Sequence, residues 1–290
     1  MNKVELKNVT FRYMPGTVYE TVALKNVSAG FENGKITGLI GHTGSGKSTL
    51  VGMLNGLIKP MEGEVLLDGE NIWDKPKKIG AVRFRVGLVM QYPEYQLFED
   101  TVAKDIAFGP KNMGLSQEEI ERRVKEAAGI VGLSENELSK SPFELSGGQK
   151  RRAAIAGVMA MEPEVLVLDE PAAGLDPVGR ETVFSAIEEY RSLKNATVII
   201  VSHSMEDMAR RCDRLVVMSD GGLLMEGNCE EVFSHAEELK KTGLDLPQIT
   251  KLMLLLREKG VPVGENIYTV DAAYAALTEI FGKRAAGKKI

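Results

Sequence analysis

The chain is poor in the residues that mark redox, metal-bound or secreted proteins. Only two of its 290 residues are cysteine, Cys212 and Cys229, and only three are histidine. With no CxxC pair and no histidines at ligand spacing, nothing supports a disulfide framework or a cysteine-based metal centre, and buried reduced thiols are expected. No run approaches the roughly 18 apolar residues of a membrane span. The start, Met1-Asn2-Lys3-Val4-Glu5, lacks the apolar core of a signal peptide, so the chain is expected to stay in the cytoplasm. Excess positive charge is missing too: 36 Lys and Arg stand against 41 Asp and Glu, for a formal charge of −5. That balance gives no electrostatic reason to expect nucleic-acid binding. There is no internal repeat and no long low-complexity linker. What is present is 43% hydrophobic content over a length that suits one large domain or two modest ones.

The most informative stretch is Gly41-His42-Thr43-Gly44-Ser45-Gly46-Lys47-Ser48-Thr49, which fits the phosphate-loop (P-loop) pattern G-x-x-x-x-G-K-[ST]. The apolar run Lys35 to Ile40 precedes it, and Thr49 to Leu54 continues at helical spacing, which places the loop between a strand and a helix. The glycines permit a tight backbone whose N–H groups converge on phosphate oxygens, and the helix N-terminus adds partial positive charge. In that setting Lys47 reaches the β- and γ-phosphates and the Ser48 hydroxyl ligates Mg²⁺.

Alternating apolar and polar residues over Val4 to Phe11 and Ala23 to Phe31, with the glycine-bounded Gly63 to Gly69, predict a small antiparallel β subdomain. Tyr13 ends its first strand; the ring can stack on a base or be no more than an exposed strand-edge tyrosine. Arg85 to Met90 reads as a buried strand ending at Gln91, ahead of Tyr92-Pro93. From Pro93 to about Ala160 the pattern is helical. Ser116-Gln117-Glu118-Glu119 predicts a capping box, with Ile120, Val124, Ala127, Ala128 and Val131 on the buried face. A second helix opens after Leu145-Ser146-Gly147-Gly148-Gln149, which either offers bare N–H groups to an anion or is simply an N-capped turn.

Val165 to Leu168 is a continuous apolar run typical of a buried parallel strand, and it ends in Asp169-Glu170-Pro171. Adjacent strand residues face opposite ways, so Asp169 can approach a metal while Glu170 addresses an attacking water. Phosphoryl transfer needs mainly positioning and charge stabilisation, which suits a carboxylate base here. After Asp176-Pro177 come a helix over 180–193 and the strand Thr197 to Val201, beyond which His203 joins Gly41, Gln91 and Glu170 among the strand-end loops. Strands at 214–218 and 222–227 complete the core near Phe233. The remainder, 234–290, reads as a helical extension. Ile249, Leu252, Met253 and Leu256 form one stripe. Ala273, Tyr274, Leu277, Ile280 and Phe281 form another, on a helix capped by Thr269 or Asp271 and closed by Gly282, with a solvated tail from Lys283 to Lys289.

The ordered set Gly41 to Thr49, Gln91, Leu145 to Gln149, Val165 to Pro171, Asp176 and His203 resembles the nucleotide-binding subunit of ATP-binding cassette (ABC) transporters over about residues 1–233. The resemblance implies an α/β fold: a P-loop NTPase (RecA-like) core, an antiparallel β subdomain, a helical subdomain at about 93–160 and a C-terminal helical extension. It implies ATP and Mg²⁺, with Tyr13 on the adenine and Ser48, Gln91 and Asp169 near the metal. Glu170, His203 and Gln91 are then the hydrolytic set. Two cassettes associate head to tail, so each ATP lies between one P-loop and the other chain's equivalents of Ser146, Gly147, Gly148 and Gln149, with Asp176 communicating across the junction.

A narrower resemblance lies in Gln91-Tyr92-Pro93-Glu94-Tyr95-Gln96-Leu97-Phe98-Glu99-Asp100-Thr101-Val102, Ala107 to Pro110, Ser141 to Glu144 and Ala173 to Pro177. These are similar to the energy-coupling factor (ECF) ATPases that power vitamin and metal uptake, and most similar to the second ATPase of such a transporter. The implied partners are a first ATPase, a transmembrane coupling subunit and a membrane substrate-binding subunit, at the cytoplasmic face of the cell membrane. Ala172 departs from the threonine or serine that many relatives carry. A conventional ABC importer is the alternative. A soluble ABC protein fits less well, because the chain has one cassette, no coiled-coil insertion and no basic stripe. Residues 93–102 are expected to form a short helix whose Glu94, Glu99 and Asp100 meet basic groups of the coupling subunit, with Tyr95, Leu97 and Phe98 adding apolar contact. The extension after Phe233 is expected to help hold the two ATPases together.

Overall fold

The computed structural model describes residues 1–264 and 266–286, without the side chains of 283–286; the expected tail from Lys283 to Lys289 lies outside the described side chains. Two sheets organise the chain. The smaller runs β2 (Thr21–Glu32), β1 (Asn2–Tyr13), β4 (Glu62–Leu67), β5 (Glu70–Asn71), all antiparallel. In the larger, β3 (Ile36–Gly41), β6 (Val86–Val89), β7 (Val165–Asp169), β8 (Thr197–Val201) and β9 (Arg214–Ser219) are parallel, in the order β9-β3-β8-β7-β6. An antiparallel β10 (Gly222–Gly227) closes the β9 edge.

The large sheet is buried on both faces, which is why its strands read as unbroken apolar runs. Side chains alternate between two cores. Leu39, Val165, Val167, Ile199, Val201 and Val216 meet the small sheet and α1 (Lys47–Leu54). Ile40, Leu166, Leu168, Val198, Ile200 and Val217 meet the helices on the opposite side. Leu168 is fully buried, so Leu168→Ala removes contacts worth about 2–5 kcal/mol.

α2 (Ile79–Arg85) leads into β6. Between β6 and β7 come 3₁₀ turns at Pro93–Gln96 and Pro142–Glu144 and the helices α3 (Val102–Asn112), α4 (Gln117–Ile130), α5 (Glu135–Ser139) and α6 (Gly147–Met159). The expected helix over 93–102 is a single 3₁₀ turn at 93–96 followed by irregular, bent chain up to the start of α3 at Val102. The buried carboxylate of Asp105 accepts the backbone N–H groups of Phe98 and Glu99, both at 3.2 Å, and so competes with a helical ladder there. The capping box at Ser116 is half formed. Ser116 accepts from the Glu119 amide at 3.3 Å, but the Glu119 carboxylate is taken by Arg122 and Arg123 at 2.7–2.8 Å.

α7 (Pro177–Lys194) and α8 (Met205–Arg211) cover the second face, and α9 (Cys229–Ser234), α10 (Ala236–Lys241), α11 (Gln248–Glu258) and α12 (Val270–Ala286) end the chain. Leu239, Leu244 and Leu246 are buried in the same core as Phe233. A separate small cluster gathers Met253, Val263 and Ala273 with Ile249, Leu256, Leu277 and Ile280. Thr269 caps α12, accepting from Ala272 at 3.3 Å. Gly282 does not close α12, which runs on to Ala286. Of the expected stripes, Leu252, Tyr274 and Phe281 face outward, because a cluster with only Met253, Val263 and Ala273 buried at its centre is too small a core to cover a wide apolar face.

Candidate functional site

Strand register brings the site together. Leu39 and Asp169 both pair with Val201, and Val89 pairs with Leu168. The carboxyl ends of β3, β6, β7 and β8 therefore fall on one edge, where ligands of open α/β sheets collect. A cleft of about 490 Å³ opens there, lined by Tyr13, Thr43, Gly44, Gly46, Lys47, Ser48, Thr49, Gln91, Asp169, Glu170 and His203, with Thr21 to Ala23 at one side.

The loop from Gly41 enters α1 through Gly46, which provides no capping side chain. The amides of Lys47, Ser48 and Thr49 therefore have no intrahelical partner and converge on the cleft, a ready site for anionic oxygens. Lys47 is buried, its ammonium donating to the carbonyls of Gly41 at 2.7 Å and His42 at 3.0 Å. Burial lowers its pKa, and the nearby Asp169 and Glu170 offset only part of that. Phosphate oxygens would give this ammonium stronger acceptors than two loop carbonyls. The His42 ring is turned away, its Nε2 accepting from the Asp220 amide at 3.3 Å.

Glu170 stands just past β7 in the left-handed backbone region, φ 50°. Strain of this kind in a residue other than glycine costs about 1–3 kcal/mol and persists where the surroundings fix it. Here Oε1 accepts the His203 N–H at 2.8 Å, Oε2 accepts the Ser202 hydroxyl at 3.2 Å, and the Glu170 amide donates to Val201 at 2.9 Å. The carboxylate is thus aimed by the loop that leaves β8. Asp169 has its pKa raised, first by burial and then by Glu170. Such a carboxylate gains from a cation, and Ser48, Gln91 and Asp169 form an all-oxygen donor set suited to Mg²⁺. Among the described residues no three His, Cys, Asp or Glu cluster as a metal cage, so an ion here would complete its shell with phosphate oxygens and water. Tyr13 is half exposed, its hydroxyl 3.1 Å from the Thr49 hydroxyl and its ring edge-on to Phe11.

Ser146, Gly147, Gly148, Gln149 and Asp176 do not line this cleft. Ser146 and Gln149 cap α6 reciprocally, Ser146 accepting from the Gln149 amide at 3.3 Å and Gln149 accepting from the Ser146 amide at 2.8 Å. Asp176 caps α7, accepting from Gly179 at 2.9 Å. Gly147 and Gly148 are helical without positive φ, and a Cβ there would meet nothing closer than Leu175 at 3.9 Å. Among the described residues nothing comes near enough to require glycine at either position. Sequence reasoning missed Ser202 and, further out, Arg151. The only signal was the run Lys150-Arg151-Arg152 at the α6 entry, which carries no indication of a partner.

The family model for ABC transporters matches residues 24–173. The energy-coupling factor transporter ATP-binding protein EcfA2 of Clostridium acetobutylicum is 53% identical, covering 93% of this chain and 95% of its own length, and that of Clostridium perfringens is 52% identical, covering 96% and 98%. Among solved structures, CbiO1 of Clostridium perfringens, part of the ABC transporter complex CbiONQ, superposes with a TM-score of 0.75 at 38% identity, over 87% of this chain and 99% of that one. The cassette MJ0796, solved as a dimer bound to ADP and Pi, gives 0.69 at 30% identity, over 78% and 98%. The chain belongs to the ABC transporter ATPases, in the branch of the energy-coupling factor ATP-binding proteins.

Proposed function

We propose that this chain binds and hydrolyses ATP as one of two cassettes beneath a transmembrane coupling subunit, at the cytoplasmic face of the membrane, driving uptake of a vitamin or metal ion held by a separate membrane subunit. The observation that carries the reading is the aimed Glu170 carboxylate opposite the buried ammonium of Lys47, one placed for water and the other for phosphate. Ser48, Gln91 and Asp169 would hold Mg²⁺, which would supply charge neutralisation to the phosphate groups when bound. Lys47 and the loop amides orient the triphosphate, Glu170 accepts the proton of the attacking water, and His203 faces the γ-phosphate. Tyr13 offers its ring to the adenine. The bare Gly147 and Gly148 support a second cassette closing over the nucleotide from its own α6 end. No helix among the described residues is long and apolar enough to cross a membrane, which fits a peripheral seat on other subunits.

The surface for the coupling subunit differs in chemistry from the expected acidic helix. Glu94 is committed to the buried Arg151, and Asp100 pairs at the open surface with Lys104, a contact worth under about 1 kcal/mol, while Tyr95, Phe98 and Phe108 are exposed, the two phenylalanines in edge contact at 5.0 Å. An aromatic anchor is therefore the stronger docking element. Tyr95→Ala with Phe98→Ala should weaken copurification with the membrane subunits by about thirtyfold or more, the effect of losing a hot spot, with ATP binding intact. Copurification at the wild-type level would count against this surface, and failure of the wild-type chain to copurify with any membrane subunit would count against the transport reading.

The extension is proposed to keep the ATPases paired when the nucleotide is gone. Cutting at Ser234 would strip Leu239, Leu244 and Leu246 from the main core, so point changes test this better. Leu252 and Leu255 share an exposed side of α11. Replacing both with glutamate should shift the nucleotide-free pair toward single cassettes in a mass measurement, with an unchanged melting temperature. A pair of undiminished stability would remove the extension from this role.

A further inference from the structure

One buried cation joins segments that the hydrolytic account treats separately. Arg151, in the second turn of α6, has a side chain 3% exposed. Its Nε and Nη2 donate to the two carboxylate oxygens of Glu94, each at 2.7 Å. Its Nη1 donates to the carbonyl oxygens of Pro171 at 3.2 Å and Ala173 at 2.9 Å. The guanidinium also lies 5.7 Å from the centroid of the Tyr92 ring. Burial alone would raise the pKa of Glu94, yet the paired hydrogen bonds bring it below the ordinary value, so the pair is ionic.

The covalent neighbours of these groups matter most. Tyr92 follows Gln91, and Pro171 follows Glu170, so each of two cleft residues is one peptide away from a group that Arg151 touches. Tyr92 and Glu170 both occupy the left-handed backbone region, φ 55° and 50°. Backbone positions of this kind gather at active sites and switch regions, where the surroundings fix them. A buried ion pair is a weak device for stability, being about level with apolar residues of the same volume, so its value here is geometric. A guanidinium fork fixes acceptors on two sides in one plane; an ammonium, a point charge, does not.

We propose that Arg151 is a positioning residue that joins the exposed turn at 93–96 to the loop running from Glu170 to Asp176, so that a partner displacing the turn shifts the Pro171 and Ala173 peptides and thereby the carboxylate of Glu170. The identity of that partner rests on the transport reading above; the joint itself does not. Two variants sever it from opposite ends: Glu94→Gln, which keeps the shape and removes the charge, and Arg151→Lys, which keeps the charge and removes the fork.

The first measurement is hydrogen exchange of the Ala172 to Asp176 amides in the full chain. Exchange should quicken about tenfold in each variant, as expected from losing charged hydrogen bonds, and be no faster in the double variant than in the singles. Unchanged exchange, or effects that multiply in the double, overturns the joint. The second measurement is the ratio of ATP hydrolysis in the assembled membrane complex to that in the detached ATPase pair. Both variants should bring this ratio toward one, whereas a merely structural role would lower both rates and leave the ratio at its wild-type value, which would overturn the proposal. A wild-type ratio of one would instead refute the transport reading, and the exchange measurement would still decide the joint.

Discussion

Glu170→Gln should lower ATP hydrolysis by about a hundred- to ten-thousand-fold, the range for removing a positioned general base, while ATP stays bound. The geometry explains why binding survives. A glutamine can keep its carbonyl oxygen on the His203 N–H, now 2.8 Å from Oε1, and present its amide nitrogen to the Ser202 oxygen, now 3.2 Å from Oε2. The side chain stays aimed and loses only the charge and the capacity to take a proton. The left-handed backbone at 170 is common to both residues, so the melting temperature should hold.

The charge change also acts on its neighbours. Glu170 is one of the two causes that raise the pKa of Asp169, and as an anion near the triphosphate it opposes the ligand's own charge. Neutralising it should leave ATP affinity equal or a few-fold tighter, on the order of the interaction between like charges a few ångströms apart near a protein surface. The measurements are phosphate release under saturating Mg-ATP and equilibrium binding of ATP on the same preparation. Hydrolysis retained within about tenfold of wild type would remove Glu170 as the base; loss of binding alongside hydrolysis would mean that the carboxylate holds the cleft together.

Much of this arrangement was legible in the sequence because it depends on local rules. Val165 to Leu168 and Thr197 to Val201 read as buried parallel strands because both faces are covered, and strand ends then dictate where Gly41, Gln91, Glu170 and His203 meet. The rest required contacts between distant residues. Nothing in the turn Pro93-Glu94-Tyr95-Gln96 reveals that Glu94 pairs with a residue 57 positions later, so it looked like a free acid for a partner. Asp105 looked like an ordinary helix residue, yet its carboxylate captures two upstream amides and stops a helix from forming at 93–102. Glu119 fits a capping box on paper, but arginines three and four residues on compete for it. In the extension, helical spacing marked the stripes correctly as apolar without saying which residues a three-residue core could cover.

Gly46→Ala should damage both stability and nucleotide binding, and Gly44→Ala is its internal control. Both glycines have positive φ, 102° at Gly46 and 84° at Gly44, so alanine at either incurs backbone strain of about 1–3 kcal/mol. Only at Gly46 is the added methyl blocked: it would lie 2.5 Å from the Ala23 carbonyl oxygen and 2.9 Å from Leu24 Cδ2, while at Gly44 it meets nothing within 4 Å. The leucine can move, but Ala23 is main chain in β2, held beside the turn at Gly221, whose carbonyl accepts from Lys25 at 2.8 Å and whose amide donates to Ser45 at 3.2 Å. The P-loop must therefore retreat from β2, at a further cost of about 1–3 kcal/mol for overpacking. Its retreat carries the amides of Lys47 and Ser48 out of register with the phosphates, weakening hydrogen bonds to charged oxygens that are worth about 1.5–3 kcal/mol each. Thermal melting should place Gly46→Ala well below Gly44→Ala, and ATP titration should show binding weaker by about tenfold or more for Gly46→Ala than for its control. If the two variants melt together and bind ATP alike, the contact with β2 does not set the loop, and the amides owe their aim to glycine's dihedral freedom alone.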